Sequence, residues 1–262
     1  MNDHPKAILT VNGSSYETDL LVFDKDGLMF DSGQFWIELA NARMRALIKH
    51  CPAADTLQWA KLVGVRAAID GNTVTSCDVD PTGILAVASP LEEMTVLAGF
   101  LVVKLGLTWH EARQLAHDLF AESDLDIDLK RALKPQPGFT GLMRCLGDLD
   151  IPYGVATSDT YERTRDSMSM FGCWEKVRFV VTPTDVERGK PEPDMLLYIS
   201  EKQQIPLSRI VMIGDSYVDV KMAKAAGSIG IGVTTDPAMQ EKMAPYASKI
   251  VPSLESISVR KG

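Results

Sequence analysis

The stretch "LLVFDKDGLMFDS", residues Leu20 to Ser32, decides the fold that the rest of the chain must complete. Its first four residues are apolar and partly β-branched, which is typical of a short strand buried on both faces. Asp24 and Asp26 follow directly, so the sequence predicts two carboxylates at the carboxyl end of a core strand. Like charges this close raise each other's pKa, and Gly27 indicates a turn with close backbone approach. The arrangement is costly unless a cation or a substrate compensates it, although Asp-x-Asp-Gly is also a common turn composition.

The bulk composition is that of a globular protein. The chain has 262 residues, of which 45% are hydrophobic and 24% charged, which fits one large domain or two small ones. A net charge of -8 argues against a general nucleic-acid binder, because phosphate contacts need a basic face.

The cysteines and the hydropathy pattern bear on the compartment. The four cysteines lack C-x-x-C spacing, so neither a zinc site nor a disulfide framework is expected. The N-terminal residues lack a signal-peptide pattern, and no apolar stretch approaches the roughly 20 residues that span a bilayer. We expect a cytoplasmic protein with reduced thiols and no membrane partner.

The first part of the chain predicts a hairpin followed by a helical block. A strand at residues 7–11, a turn at Asn12-Gly13 and a returning segment indicate the hairpin. From residue 35 to about residue 133, apolar residues recur at helical spacing. Ser89 with Glu92 and Thr108 with Glu111 follow the capping-box pattern that marks helix starts. Before these two helices, within the helical block, residues 67–89 are rich in Gly, Asp, Thr and Ser and predict a loop or a small hairpin.

After "KPQPG" (residues 134–138), helical and extended patterns alternate four times. Repeated units of this kind predict an α/β fold with a doubly wound, Rossmann-like parallel sheet, to which the strand at residues 20–23 would belong. The predicted domains are therefore an α/β core, residues 1–32 and 136–262, and an inserted α-helical cap, residues 33–135.

Ligands of such sheets bind beyond the carboxyl ends of the strands, so the residues at those ends are the candidates for chemistry. They are two acids after the first core strand, two hydroxyls after the second, a lysine in the loop after residues 177–181, and two acids after "IVMIG": Asp24, Asp26, Thr157, Ser158, Lys190, Asp215 and Asp219.

Three of these acids, Asp24, Asp26 and Asp215, suit a hard cation. Mg²⁺ prefers oxygen ligands and is usually held by few carboxylates together with a substrate phosphate. No histidine or cysteine lies at these predicted strand ends, which disfavours zinc and iron. The sequence therefore predicts Mg²⁺ as the cofactor.

Two neighbouring carboxylates can also share the work of phosphoryl transfer. Asp24 suits a nucleophile that forms an aspartyl-phosphate, and Asp26 suits the acid that protonates the leaving oxygen and later activates water. Lys190, Thr157 and the cation would hold the phosphoryl oxygens. Taken singly, Asp215 and Asp219 are also typical helix-starting acids, and Lys190 is also typical of a solvated loop.

Four ordered motifs carry a resemblance to the haloacid dehalogenase superfamily of phosphohydrolases with an α-helical cap, in the subgroup similar to phosphoglycolate phosphatases and phosphomutases. They are "DKDG" (24–27), a hydrophobic strand ending in Thr157, Lys190 within "KPEPD", and "GDSYVD" (214–219). Together they span nearly the whole chain.

The resemblance implies a role for each matching residue. Asp24 would be the nucleophile, and Asp26 the general acid and base whose backbone carbonyl also binds Mg²⁺. Asp215 would be the remaining metal carboxylate. Asp219 is placed behind the metal, orienting Lys190 or a metal-bound water. The phosphoryl group would be bound by Thr157, Ser158 and Lys190.

One position departs from the family pattern. Phosphatases of the family usually have threonine after the glycine of the first motif, where this chain has Leu28. Sugar-phosphate mutases of the same superfamily also depart there, commonly with valine. The expected function is a Mg²⁺-dependent phosphatase acting on a small phosphorylated metabolite, with a sugar-phosphate mutase as the alternative.

Two further alternatives are disfavoured. A metal-independent dehalogenase needs no second acid such as Asp26, and a catalytically silent binding module would not need the complete set of site residues. We expect substrate choice to reside in residues 33–135, because a closing cap contacts the leaving group. The sequence indicates neither the substrate nor the oligomeric state.

Overall fold

The computed structural model describes residues 7–31, 33–127 and 129–262. The chain divides into two compact units: the first is made of Met1–Asp31 and Pro135–Gly262, and the second of Ser32–Lys134. The predicted domain boundary at Ser32 falls on a residue outside the described part of the chain. Within the described ranges, every helix is too short or too polar to cross a lipid bilayer.

The first unit begins with a hairpin and a buried strand. Strands β1 (Ala7–Val11) and β2 (Ser14–Thr18) pair antiparallel, so the predicted hairpin is confirmed. The turn between them, Asn12-Gly13, has φ values of 45° and 78°, which suit a tight two-residue connection. Strand β3 (Leu20–Phe23) is buried along its whole length, as its apolar run predicts, and the short strand β4 (Phe30–Asp31) follows.

The second unit is mainly helical and contains one hairpin, formed by two of its antiparallel strands. Its elements, up to a short strand that crosses the unit boundary, are α1 (Gly33–Leu47), α2 (Ala53–Leu62), β5 (Val65–Asp70), β6 (Thr73–Val79), α3 (Ile84–Val87), α4 (Pro90–Leu105), α5 (Trp109–Leu125), α6 (Leu129–Ala132) and β7 (Lys134–Pro135). The predicted capping boxes of Ser89 and Thr108 are present at the starts of α4 and α5. β5 and β6 occupy the segment for which a loop or small hairpin was expected.

The remainder of the first unit alternates helices and strands as the sequence predicts. The elements are α7 (Phe139–Asp148), β8 (Tyr153–Ala156), α8 (Tyr161–Met170), β9 (Val177–Val181), α9 (Asp194–Gln203), β10 (Ile210–Gly214), α10 (Tyr217–Ala226), β11 (Ile229–Val233), α11 (Pro237–Met243), β12 (Lys249–Val251) and β13 (Ile257–Lys261).

The central sheet of this unit has the strand order β12-β11-β10-β3-β8-β9, and its strand pairs are parallel. The predicted α/β fold class is therefore confirmed. Phe23, the last residue of β3, pairs with Ile213 of β10 on one side and Val155 of β8 on the other. Because parallel strands end at the same edge of a sheet, the residues that follow β3, β8 and β10 are brought to one place.

A second sheet of three strands, in the order β13-β1-β2, was not predicted as a unit. β13 pairs antiparallel with β1, from Ala7 opposite Lys261 to Val11 opposite Ile257. Arg209, just before β10, binds this sheet to the core: its guanidinium lies 2.9 Å from Asp19 and 2.7 Å from Glu17.

Candidate active site

Asp24 stands at the first position beyond β3. Its backbone N–H donates to the carbonyl of Ile213 at 2.9 Å, which continues the ladder between β3 and β10 by one residue. This bond fixes the direction of the chain just where the apolar strand gives way to the polar loop. The Asp24 side chain is buried, as expected for a residue at the end of a central strand.

Gly27 explains how the loop after Asp24 is accommodated. Its φ is 85°, a left-handed conformation that glycine adopts without penalty. A Cβ atom at this position would lie 2.1 Å from Oδ2 of Asp215, so the missing side chain makes room for that carboxylate. The Gly27 carbonyl accepts a hydrogen bond from Nε2 of Gln136 at 2.9 Å. The loop is therefore held from two sides.

Lys190 is the cation of the site. It lies in the loop between β9 and α9, and its Nζ is 2.6 Å from Oδ1 of Asp24 and 2.6 Å from Oδ1 of Asp219. Burial alone would lower the pKa of Lys190, but the charges of Asp219 and Asp24 outweigh burial and raise it. A buried, charged ammonium therefore links the loop after β3 to the first turn of α10.

Asp219 has a double role in the local structure. Its Oδ2 accepts a hydrogen bond from the backbone N–H of Ser216 at 3.1 Å, which completes a capping box at the start of α10. Its Oδ1 binds Lys190. Asp219 therefore both caps the start of α10 and contacts Lys190, so the two roles expected from the sequence are compatible.

The site contains more carboxylates than the single ammonium of Lys190 can neutralise. One carboxylate oxygen from each of Asp24, Asp215 and Asp219 lies within 4.8 Å of the other two. Burial raises the pKa of Asp215 well above its usual value, and the charges of Asp24 and Asp219 raise it further. Burial likewise raises the pKa of Asp24, which Lys190 partly opposes. The ionised cluster is unstable without an additional positive charge nearby.

This donor set fits a hard divalent cation. Asp24 and Asp215 offer the carboxylate oxygens that Mg²⁺ prefers, whereas both oxygens of Asp219 already accept hydrogen bonds from Lys190 and Ser216. The repulsion that raises the pKa of Asp215 is the kind that a bound cation relieves. Among the residues that the structure describes, this is the group of acids, histidines and cysteines with such spacing.

Asp26 lies beside the cluster in a different environment. Its Oδ1 is 2.6 Å from Nζ of Lys25, which is itself 2.9 Å from Oδ2 of Asp159. Burial raises the pKa of Asp26, and the charge of Lys25 partly opposes this. Burial would lower the pKa of Lys25, but Asp159 and Asp26 together raise it. Neither Lys25 nor Asp159 was singled out from the sequence.

Thr157 follows β8, the strand next to β3. It is buried, and its backbone N–H donates to the carbonyl of Val181 at 3.0 Å. Its Oγ1 accepts a hydrogen bond from the backbone N–H of Asp159 at 3.1 Å. Ser158 is partly buried in the same loop. The structure thus joins Asp24, Lys190 and Asp219 by direct contacts, while Thr157 and Ser158 belong to the adjacent strand end.

Comparisons with known proteins show which family of proteins the chain is similar to. Residues 18–227 match the model of a family of hydrolases described as haloacid dehalogenase-like. Among curated relatives, an N-acetylmuramic acid 6-phosphate phosphatase of Pseudomonas aeruginosa is 30% identical over 95 residues, which cover 36% of this chain and 42% of that protein. A phosphoglycolate phosphatase of Neisseria meningitidis is 29% identical over 101 residues, covering 38% and 43%. The chain spans less than half the length of these two relatives.

The fold also occurs among solved structures. The crystal structure of CbbY from Rhodobacter sphaeroides in complex with phosphate matches with a TM-score of 0.60 and 16% identity, over 90% of this chain and 94% of that chain. At this level of identity the likeness is one of fold.

Proposed function

The chain belongs to the haloacid dehalogenase-like hydrolase family, and from this premise we propose that it is a Mg²⁺-dependent phosphatase that hydrolyses a small phosphate monoester through an aspartyl-phosphate on Asp24. The observation that carries the proposal is the buried contact of Lys190 with both Asp24 and Asp219, beside the carboxylate of Asp215. The names of the two curated relatives support a phosphorylated substrate.

In the first step an oxygen of the Asp24 carboxylate attacks phosphorus. The new O–P bond forms as the ester P–O bond breaks, and the leaving oxygen takes the proton of the Asp26 carboxylic acid. The products are the alcohol and the aspartyl-phosphate, with Asp26 left ionised. The raised pKa of Asp26 supports this role, because a general acid must be protonated when the substrate arrives.

In the second step water attacks the phosphorus of the aspartyl-phosphate. The Asp26 carboxylate takes a proton from that water, the bond between Asp24 and phosphorus breaks, and inorganic phosphate leaves. Asp24 is again a carboxylate and Asp26 again an acid, so the cycle closes without any other reactant.

The remaining residues bind and neutralise charge. Lys190, Thr157 and Ser158 would hold the phosphoryl oxygens, and Asp219 would keep Lys190 in place. Mg²⁺ would be held by Asp24, Asp215 and the backbone carbonyl of Asp26, and when bound it supplies positive charge to the phosphoryl group. We place the reaction in the cytoplasm, because the four cysteines are free, as thiols are in reducing compartments.

A sugar-phosphate mutase is the second candidate, and Leu28 favours it. This side chain is buried and apolar at the position where phosphatases of the family usually offer a hydroxyl. A mutase would pass the phosphoryl group from Asp24 to a second hydroxyl of a sugar instead of to water.

The test is phosphate release from a panel of small alkyl and sugar phosphates, with Mg²⁺ and with excess chelator. Release should require Mg²⁺, should be abolished by Asp24→Asn, and should fall by roughly 10²-fold or more in Asp26→Asn. The matched control is Asp148→Asn, an exposed aspartate at the end of α7. Phosphate release that persists in excess chelator would contradict the proposed dependence on Mg²⁺. Phosphate release by Asp24→Asn would contradict the proposed role of Asp24 as the nucleophile. Isomerised sugar phosphate without net release of phosphate would identify the mutase.

A further inference from the structure

Lys25 is a buried cation that the proposed chemistry leaves without a role. It lies between the two aspartates of the first motif, and its side chain is 1% exposed. Its Nζ is 2.6 Å from Oδ1 of Asp26 and 2.9 Å from Oδ2 of Asp159, whose side chain is 5% exposed. The ammonium therefore connects the loop after β3 to the loop after β8.

The cost of burying this lysine is an argument that the contact is specific. An ammonium taken out of water is unfavourable by several kcal/mol unless it is paired and hydrogen-bonded. An apolar side chain at position 25 would avoid that cost altogether. Relative to an apolar residue, Lys25 adds a hydrogen bond to Oδ1 of Asp26 and an ion pair with Asp159.

Asp159, the other partner of Lys25, is itself held firmly. Its Oδ1 lies 3.0 Å from Nε of Arg163, in the first turn of α8, and accepts a hydrogen bond from the backbone N–H of Thr160 at 2.7 Å. The backbone N–H of Asp159 donates to Oγ1 of Thr157. Lys25 is thus anchored by a residue that also contacts the hydroxyl proposed to bind the phosphoryl group.

We propose that Lys25 is a positioning residue for Asp26, anchored by Asp159, and that by holding Oδ1 it leaves Oδ2 as the oxygen that gives up and recovers the proton. This inference rests on the proposed function. A carboxylate held at one oxygen presents the other in a defined direction, and such orientation accounts for much of the rate that general acid catalysis supplies. The same contact sets the position of Asp26 relative to Thr157.

The test compares two substrates that differ in their need for an acid. An alkyl phosphate needs a proton on its leaving oxygen, whereas 2,4-dinitrophenyl phosphate expels a stable anion without one. The measured quantity is the single-turnover rate of ester cleavage, which precedes hydrolysis of the aspartyl-phosphate. In Lys25→Met we expect the alkyl phosphate to be cleaved about 10- to 100-fold more slowly and dinitrophenyl phosphate less than about threefold more slowly.

Three further variants separate positioning from folding. Lys25→Met combined with Asp159→Asn removes opposite buried charges together, so we expect its thermal stability to exceed that of Lys25→Met while the alkyl phosphate is still cleaved slowly. Lys25→Arg keeps a donor and should restore part of the alkyl rate. Arg165→Met removes an exposed ion pair with Asp166 on α8 and should leave both rates within about twofold of wild type.

The outcomes distinguish this inference from the function on which it rests. Three results would show that Lys25 is structural and would overturn the inference alone. In Lys25→Met, the cleavage rates of the two substrates could fall equally, or neither rate could fall. In the double variant, the cleavage rate of the alkyl phosphate could recover together with the thermal stability. If the wild-type protein cleaves neither ester, or if Asp24→Asn cleaves them as fast as the wild type, the proposed function is overturned and this inference with it.

Discussion

Gly27 and Asp215 approach each other so closely that one added carbon on the glycine would overlap the carboxylate, at 2.1 Å from its Oδ2. The two residues follow different strands, β3 and β10, and the contact makes one packed unit of the loop that carries Asp26 and the acid proposed to bind metal. The positive φ of Gly27 adds an independent requirement for glycine at this position.

Gly27→Ala should therefore displace Asp215 and lower kcat/KM by about 10²-fold, since misplacement of a catalytic group by about 1 Å has that effect. Gly13→Ala is the matched control: Gly13 also has a positive φ, 78°, but no atom lies within 4 Å of the added carbon. Both variants carry backbone strain, so equal effects on kcat/KM would contradict the steric explanation.

Asp215→Asn should stabilise the metal-free protein. Burial, together with Asp24 and Asp219, raises the pKa of Asp215 well above 3.8, so the folded protein holds this proton more tightly than the unfolded chain. The free energy of unfolding therefore falls as the pH rises from 3.8 through the folded-state pKa, and the variant escapes this loss. In chelator at neutral pH, we expect a higher Tm for the variant than for wild type, and the difference should narrow as the pH falls.

Addition of Mg²⁺ supplies the complementary measurement. A ligand that binds the folded state alone raises the Tm, so Mg²⁺ should stabilise the wild-type protein more than Asp215→Asn. Asp148→Asn should respond to both pH and Mg²⁺ as the wild type does. An equal response of Asp215→Asn and wild type to Mg²⁺ would remove Asp215 from the proposed metal site.

Lys190→Met should abolish turnover and destabilise the fold. It leaves Asp24 and Asp219 buried without the ammonium that they share, and breaking a buried pair in this way costs about 3–5 kcal/mol. Urea unfolding measures the loss. Lys242→Met, at an exposed position of α11, should change the free energy of unfolding by no more than about 0.5 kcal/mol. A Lys190→Met protein as stable as the wild type would contradict the stabilising role of this shared ammonium.

Gln136→Leu tests the support of the loop after β3 from its other side. The change removes the hydrogen bond to the Gly27 carbonyl, which should lower the free energy of unfolding by about 1 kcal/mol. Because the loop carries Asp26, we expect kcat to fall more than KM changes. Gln114→Leu loses an exposed amide hydrogen bond to Asp118 in the second unit and should leave kcat unaltered. An unaltered kcat in Gln136→Leu would show that the loop does not depend on this bond.

The site residues at the strand ends could be predicted from the sequence, because all strands of a parallel sheet end at the same edge. Apolar runs such as residues 20–23 identify buried strands, and the polar residues that follow them must share one edge. Asp24, Lys190, Asp215 and Asp219 are brought together as that rule requires. Their catalytic roles stay predictions, since contacts alone do not report chemistry.

Lys25 was missed for a physical reason. A charged residue in a loop is solvated in most proteins, so nothing in the local pattern predicts that its ammonium is buried. The signal would have been a long-range pairing with Asp159, which lies on a different strand end, and local patterns do not encode such pairings. The same limit applies to β13, whose five residues pair with β1, a strand far away in the sequence.

The pairing of β1 with β13 also has a consequence for how the protein is made. During synthesis β1 emerges from the ribosome well before β13, because residues 12–256 lie between the two strands. Through that interval one edge of the early hairpin offers unpaired backbone groups to any extended segment nearby. Contacts between such distant residues are closed late and slow folding. The pairing of β1 with β13 should therefore form late, and until it does the free edge of β1 can pair with other extended chains.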